Sequence, residues 1–129
     1  MTDINIILEN AGFCLEEIKN LTENLMEECV EVVLADPGYL RVLNRNYRHI
    51  DRATDVLTFD LALREQDRPD GTIYVDGRLF PPMEALLERI FHGYLHLKGY
   101  SHNNEKDAAI MGSEVNSLIA EALGKQVEN

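Results

Sequence analysis

The sequence predicts an α+β protein with a small four-stranded mixed sheet packed with about four helices. Segments rich in β-branched residues alternate with segments of helical periodicity, in the order β-α-β-α-β-β-α-α. The chain has 129 residues and 45% hydrophobic side chains, which is enough to bury a core without disulfides. Because no repeat or linker interrupts the pattern, we expect residues 1–129 to form a single domain.

The first half of the chain is predicted to alternate strands and helices. INIILE, near the N-terminus, and VEVVLAD, which begins at Val30, are rich in branched residues and predict the first two strands. Between them, apolar residues at helical spacing predict a helix over residues 13–29. Asp36 followed by Pro37 predicts the start of a second helix, because aspartate caps a helix and proline suits its first position.

The second half is predicted to hold two strands and two helices. Residues 54–62 and the TIYVD segment have the composition of strands. Pro81 opens a helix that we expect to run to about Lys98, where Gly99 stops it in left-handed geometry.

A last helix is predicted from about Glu105 to Leu123, with Gly124 as its end. Its apolar positions recur at helical spacing and should face the core. They are Ile110, Met111, Val115, Leu118 and Ile119.

The charge of the chain is unevenly distributed. Twelve lysines and arginines stand against 23 acidic residues, and the formal net charge of −11 argues on its own against a nucleic-acid partner. Four of the twelve cations nevertheless fall within RVLNRNYRHIDR and form a basic patch: Arg41, Arg45, Arg48 and Arg52. A patch of this kind either attracts phosphates or is only a solvated helix face.

The sequence also indicates a compartment. No apolar run has the length needed to cross a bilayer, so we expect no membrane partner. The N-terminal segment lacks a basic leader followed by a cleavage site. We therefore expect a cytoplasmic protein.

The stretch HGYLHLKGYSH carries three histidines, His92, His96 and His102. On a helix the first two lie one turn apart on one face, turned away from the apolar stripe. Gly99 then allows the chain to reverse, so that His102 returns towards them. Three imidazoles around an open fourth position are typical of a catalytic zinc site, and we expect a metal here.

The same spacing matches the HExxHxxGxxH ligand frame of metzincin proteases, which predicts a metzincin-like metal helix. Gly93 stands where those enzymes have their catalytic glutamate. Without that carboxylate, ordinary peptide hydrolysis loses its proton acceptor. A glycine at this position indicates the close approach of a backbone or a ligand, or simply tight packing.

Three segments together resemble the YbeY family of metal-dependent endoribonucleases. HGYLHLKGYSH is similar to the family signature HGxLHLxGYDH, LNRNYRHIDRATDVLTFD to LNxxYRxxDxxTDVLSFP, and DGTIYVD to the GDIxIS strand. All three occur in the family's order. The resemblance implies a zinc-dependent endoribonuclease, specific for single strands, that acts in ribosomal RNA maturation at the 3′ end of the small-subunit RNA and in ribosome quality control.

The resemblance also implies the site. The three histidines would bind one zinc ion, although other divalent metals fit the same ligands. Arg48 would be catalytic, because the family's arginine at this position binds phosphate and stabilises charge in the transition state. Arg45 and Arg52 would help Arg48 to bind the substrate. The implied partners are single-stranded RNA, ribosomal RNA and ribosomal particles.

Three positions depart from the family pattern. Ser101 and Thr72 stand where the family has aspartates, and Asp60 stands where it has a proline. None of these changes removes a histidine, so the predicted metal site survives. The change at Ser101 leaves the route of the proton without an assigned residue.

Several roles stay open at the level of the sequence. The acids near the motifs are candidate general bases, although each also suits a cap or the surface: Asp51, Asp55 and Glu105. The nucleophile is either water activated by the metal or the 2′-hydroxyl of the RNA. Tyr47 and Tyr100 either stack on bases or pack at the rim of the site.

Two other functions also stay open. A zincin-type metalloprotease would share the ligand frame but would need another base. A non-catalytic, metal-stabilised and ribosome-associated binding module would need a fourth protein ligand, which a cysteine or an acid elsewhere in the chain would supply.

Overall fold

The computed structural model describes residues 3–6, 15–22, 25–26, 30–61, 71–77, 83–101 and 103–127. Its strands are β1 (Asp3–Ile6), β2 (Val30–Ala35), β3 (Val56–Asp60) and β4 (Gly71–Asp76). Its helices are α1 (Leu15–Thr22), α2 (Pro37–Arg48), α3 (Met83–Leu97) and α4 (Glu105–Val127). None of the helices in these ranges has the length and apolarity to span a bilayer.

The strands form one mixed sheet in the order β1-β2-β4-β3. Strands β1, β2 and β4 are parallel, whereas β3 runs antiparallel to β4, with Leu57 opposite Tyr74. Strand β3 is therefore an edge strand next to the last parallel strand. The predicted α+β class and the mixed character of the sheet are confirmed.

The two faces of the sheet carry two apolar clusters of different size. Alternate residues of β2 and β4, such as Val32 and Ile73, belong to a large core that includes residues of α1, α3 and α4. On the opposite face, Leu57 and Tyr74 pack with Leu40 of α2. Helix α2 therefore covers one face, and the other helices cover the other.

Two predicted helix ends are wrong. Helix α1 ends at Thr22 rather than near residue 29, because the amide of Leu25 bonds to the carbonyl of Thr22, three residues back, and closes a turn. Helix α4 continues past Gly124 to Val127, since an interior glycine weakens a helix without ending it. Residues 7–9 and Pro81, which carried predicted element ends, lie outside the described residues.

The predicted core side of α4 is correct except at one position. Met111, Val115 and Ile119 are buried, together with Ala122. Ile110 is 47% exposed, because it lies about 100° from Met111 around the helix and thus beside the buried stripe.

Helix α3 approaches the sheet closely at Gly93. A Cβ atom built at this buried glycine would lie 2.7 Å from Oγ1 of Thr58 in β3 and 2.9 Å from Cγ2 of Ile73 in β4. Both distances are shorter than ordinary van der Waals contacts. Tight packing against the sheet therefore explains this glycine, and a side chain at this position would push α3 away from β3 and β4.

We predict that Gly93→Ala and Gly112→Ala change stability in opposite directions. The methyl group at position 93 has no room, so this variant should lose about 1–3 kcal/mol of unfolding free energy. Gly112 lies on the exposed face of α4, and a Cβ atom added there would meet no atom within 4 Å. Alanine at that position should add up to about 1 kcal/mol, because it is the better helix former. Urea unfolding of both variants measures the difference, and a stabilised Gly93→Ala would contradict the packing argument.

Candidate functional site

His92 and His96 lie one turn apart on α3 with their side chains in contact. Their Nε2 atoms are 3.2 Å apart, and their rings meet edge to face with centroids separated by 4.7 Å. Both side chains are half-buried, whereas the neighbouring Phe91 and Leu95 are buried in the core. The predicted orientation of the pair, away from the apolar stripe, is what the structure has.

The ring of His96 is oriented by a main-chain oxygen. Its Nδ1 atom lies 3.2 Å from the carbonyl oxygen of Tyr100. Because a carbonyl oxygen can only accept, this contact requires the proton on Nδ1, and the Nε2 atom of the neutral ring then carries a lone pair. Metal-binding histidines are commonly held in this way by a carbonyl or carboxylate behind the ring.

A left-handed turn brings the Tyr100 carbonyl to His96. Gly99 has a φ of 99°. Its amide donates to the carbonyl of His96, and the amide of Tyr100 donates to the carbonyl of Leu95. Both donor–acceptor distances are 3.0 Å. This pair of bonds is the Schellman motif that ends many helices at a glycine. The predicted stop at Gly99 is confirmed, and the ring of Tyr100 packs against the large core.

The histidine pair has the spacing that a tetrahedral metal requires. Two imidazole nitrogens bound to zinc at about 2.0–2.1 Å lie roughly 3.3 Å apart, close to the 3.2 Å between the two Nε2 atoms. His102 lies outside the described residues. Within the described ranges, no group of three or more His, Cys, Asp or Glu side chains is arranged to hold a metal.

A cavity of about 500 Å³ brings Arg48 together with both histidines. Its polar lining also includes side chains of β3 and the segment before it, namely Thr54, Thr58 and Asp60. The arginine comes from the end of α2, on one side of the sheet, and the histidines come from α3, on the other. The cavity therefore lies along the edge strand β3, where the two sides meet.

The end of α2 and the loop after it are held by hydrogen bonds. The helix starts as predicted, where the Asp36 carboxylate accepts a hydrogen bond from the amide of Tyr39 at 2.8 Å. It ends at His49, whose φ is 60°. Asn44 is 2% exposed, and its side-chain amide donates to the carbonyl of Arg52 at a distance of 2.9 Å. This bond attaches the loop that follows Arg48 to helix α2.

The four arginines of the basic patch have different surroundings. The Nε of Arg41 lies 2.9 Å from Oδ1 of Asp51, and this hydrogen bond holds the pKa of the Asp51 carboxyl below its ordinary value. Arg45 and Arg52 are exposed and are not among the described residues that line the cavity. Among the four, Arg48 alone belongs to that lining.

The three acids that the sequence offered as general bases, Asp51, Asp55 and Glu105, do not line this cavity. Asp60, which was not among them, does. The carboxylate of Asp55 pairs with Arg89 at 3.1 Å and lines a smaller cavity of about 210 Å³ that His92 also lines. Glu105 is exposed at the start of α4. Asp60, considered only as a departure from the family, lies in the main cavity. The period-two alternation of β3 could have identified it, because Val56, Thr58 and Asp60 share a face.

The departure at Ser101 has a compensating acid nearby. The hydroxyl of Ser101 donates a hydrogen bond to Oδ2 of Asp107, at a distance of 3.3 Å. The Asp107 amide in turn donates to the side chain of Asn104, whose own amide donates back to Asp107. Asp107 is therefore part of the cap of α4 and also places a carboxylate beside position 101. Thr72 lies within 3.5 Å of Glu31, outside the described lining of the main cavity.

We predict that Ser101→Asp, which restores the family residue, destabilises this protein at neutral pH. The change replaces a hydrogen bond by two facing carboxylates and should cost about 1 kcal/mol or more. Urea unfolding of the variant and the wild type at neutral pH measures this effect.

Two controls separate charge from shape at this position. Ser101→Asn has nearly the same shape as aspartate without the charge and should retain most of the stability. Adding Asp107→Ser to Ser101→Asp exchanges the two groups and should recover at least half of the loss. An exchange variant as unstable as Ser101→Asp would contradict the assigned pair.

Known proteins of one family are similar to this chain in sequence and in fold. The family model described as Endoribonuclease YbeY matches residues 4–87. A curated protein of that name from Thermotoga maritima is 35% identical over 133 residues, covering 95% of this chain and 85% of the relative. Another from a Nitratiruptor species is 33% identical over 120 residues, covering 84% of this chain and 80% of the relative.

A solved structure extends the match to the whole chain. The solution structure of TM1509 from Thermotoga maritima has a TM-score of 0.65 and 28% sequence identity, and the match covers 100% of this chain and 93% of the other. The family model spans well over half of the chain, and the relatives and the solved structure extend beyond it to the histidine helix. Agreement of this extent in both sequence and fold means that the chain belongs to the endoribonuclease YbeY family.

Proposed function

We propose that the protein is a metal-dependent endoribonuclease that cleaves single-stranded RNA during the maturation of ribosomal RNA. The observation that carries this proposal is the shared cavity of Arg48, His92 and His96. A guanidinium beside a metal-binding pair suits a phosphodiester, which needs its negative charge neutralised. The relatives named Endoribonuclease YbeY support the same reaction.

The proposed metal is a single zinc ion held by His92, His96 and His102. The separation of the two described Nε2 atoms and the orientation of His96 support this choice. When bound, such an ion polarises a phosphoryl oxygen and lowers the pKa of water. In this proposal the chain is one domain over residues 1–129, and its four-stranded sheet carries a metzincin-like metal helix.

Arg48 is proposed to bind the phosphate that is cleaved. Its guanidinium can donate two parallel hydrogen bonds to phosphate oxygens, and charge builds on those oxygens in the transition state. Arg45 and Arg52 are exposed near it and would bind neighbouring phosphates more weakly. Single strands suit an open cavity at a sheet edge, because their bases are free to turn away from one another.

The packing of Gly93 favours phosphate chemistry over peptide hydrolysis. The position that carries the glutamate of metzincin proteases faces Thr58 and Ile73 here and has no room for a side chain. A general base for peptide hydrolysis would have to come from elsewhere. This argument disfavours the metalloprotease alternative.

The proposed place of action follows from the substrate. We propose that the protein processes the 3′ end of small-subunit ribosomal RNA and acts in ribosome quality control, with ribosomal particles as partners. Such particles would be met in the cytoplasm.

We predict that His96→Ala and Arg48→Ala fail in different ways. His96→Ala should lose both bound metal and RNA cleavage, because it removes a ligand. Arg48→Ala should retain the metal and lose roughly 10²- to 10³-fold in kcat, the usual cost of a missing transition-state donor. Cleavage of a labelled single-stranded RNA and the metal content of each purified variant measure the two effects.

Arg41→Ala is the matched control for Arg48→Ala. Arg41 belongs to the same helix and basic patch but is paired with Asp51, so its loss should change kcat by no more than a few-fold. If His96→Ala and Arg48→Ala cut RNA as well as the wild type, the nuclease proposal is wrong. Cleavage of casein instead of RNA by the wild type would favour the protease.

A further inference from the structure

Tyr47, the residue before Arg48, is an exposed aromatic side chain that is nevertheless held in place. It is 65% exposed, the largest fraction among the large apolar and aromatic side chains that the structure describes as exposed. Its ring meets the ring of Phe59 edge to face, with centroids 5.2 Å apart. The contact restrains the ring without covering most of its surface.

The support behind Tyr47 continues across the sheet. Phe59 packs edge to face on Tyr74 at 5.5 Å, and Tyr74 packs on Tyr39 at 6.1 Å. Phe59 and Tyr74 also contact the small apolar cluster beneath α2. An aromatic row therefore crosses from β4 to β3 and ends at an exposed ring. Aromatic rings held in this way can stack on bases with little loss of side-chain freedom.

The position of Tyr47 relative to the cavity suggests which molecule it contacts. Arg48 lines the cavity with the histidines, whereas Tyr47 contacts Phe59 on the α2 side of β3. A strand whose phosphate lies at Arg48 therefore passes the edge of β3, and the adjoining base can reach the ring of Tyr47. Asp51, the acid nearest in sequence, is paired with Arg41, which reduces its repulsion of a phosphate.

We propose that Tyr47 is the stacking site for an unpaired nucleobase next to the phosphate bound at Arg48. This inference rests on the proposed endoribonuclease function and adds a subsite to it. Stacking requires an open base face, which a base inside a duplex does not offer. Tyr47 would therefore contribute to the preference for single strands, and it would do so for any of the four bases, because every base has a π face.

The test compares Tyr47 variants on short single-stranded RNAs. Tyr47→Ala should raise KM roughly 5- to 150-fold, the range that loss of one base–aromatic stack produces, with kcat nearly unchanged. Tyr47→Phe keeps the ring and should behave like the wild type. Tyr47→Leu keeps an apolar contact with Phe59 but lacks a π face, so it should resemble Tyr47→Ala. Val42→Ala removes an exposed side chain of the same helix that lies outside the aromatic row, so it is the matched control and should leave KM unchanged.

RNAs that each lack one base identify the partner of the ring. In a series with a single abasic nucleotide at successive positions, one position should raise the wild-type KM by the same factor as Tyr47→Ala. On that RNA, Tyr47→Ala should cause no further loss, because the stack is already absent. A purely structural role for Tyr47 would instead give the same loss on every RNA in the series.

The outcomes separate this inference from the proposed function. If the wild type cleaves RNA but Tyr47→Ala leaves KM unchanged, stacking is refuted and the nuclease proposal stands. The same conclusion follows if Tyr47→Ala raises KM further on every abasic RNA. If the wild type cleaves none of these RNAs, both proposals fail. Urea unfolding of Tyr47→Ala should show a folded protein, since the side chain is mostly exposed.

Discussion

The close approach of α3 to the sheet at Gly93 is the constraint on which the site depends. A helix with a side chain at this position would stand further from Thr58 and Ile73, and His92 and His96 would move away from β3 with it. The cavity shared with Arg48 is formed between these histidines and the edge strand. Gly93, which stands where metzincin proteases have their glutamate, is thus also the residue that lets the helix approach the edge strand whose cavity includes Arg48.

Charge acts in this molecule through pairing rather than through totals. The net charge of −11 disfavours an RNA partner, and the four arginines of the basic patch favour one. Neither number shows which charges are paired with an opposite charge. Arg41 is paired with Asp51 and Asp55 with Arg89, whereas Arg48 turns into the cavity. An acidic protein can bind a polyanion when its few cations are concentrated at the point of contact and the nearby acids are paired.

Local signals were predictable from the sequence where a single residue determines the backbone. Asp36 with Pro37 predicted the start of α2, and Gly99 predicted the end of α3, because capping depends on the Asp36 carboxylate and left-handed geometry is easy only for a residue without a Cβ atom. The end of α1 depended on a turn that periodicity does not register. The meeting of Arg48 with the histidines, and the presence of Asp60 beside them, depended on strand order, which no local pattern contains.

The Schellman turn at Gly99 also determines which positions near the histidines tolerate substitution. The atom that orients His96 is a backbone carbonyl, which every amino acid possesses, so substitution at Tyr100 leaves that oxygen in the chain. The requirement falls instead on the neighbouring Gly99, whose φ of 99° is a backbone conformation that residues with a side chain rarely adopt. A comparison of relatives that looked only at the side chains around the two histidines would overlook the glycine whose turn orients the ring of His96.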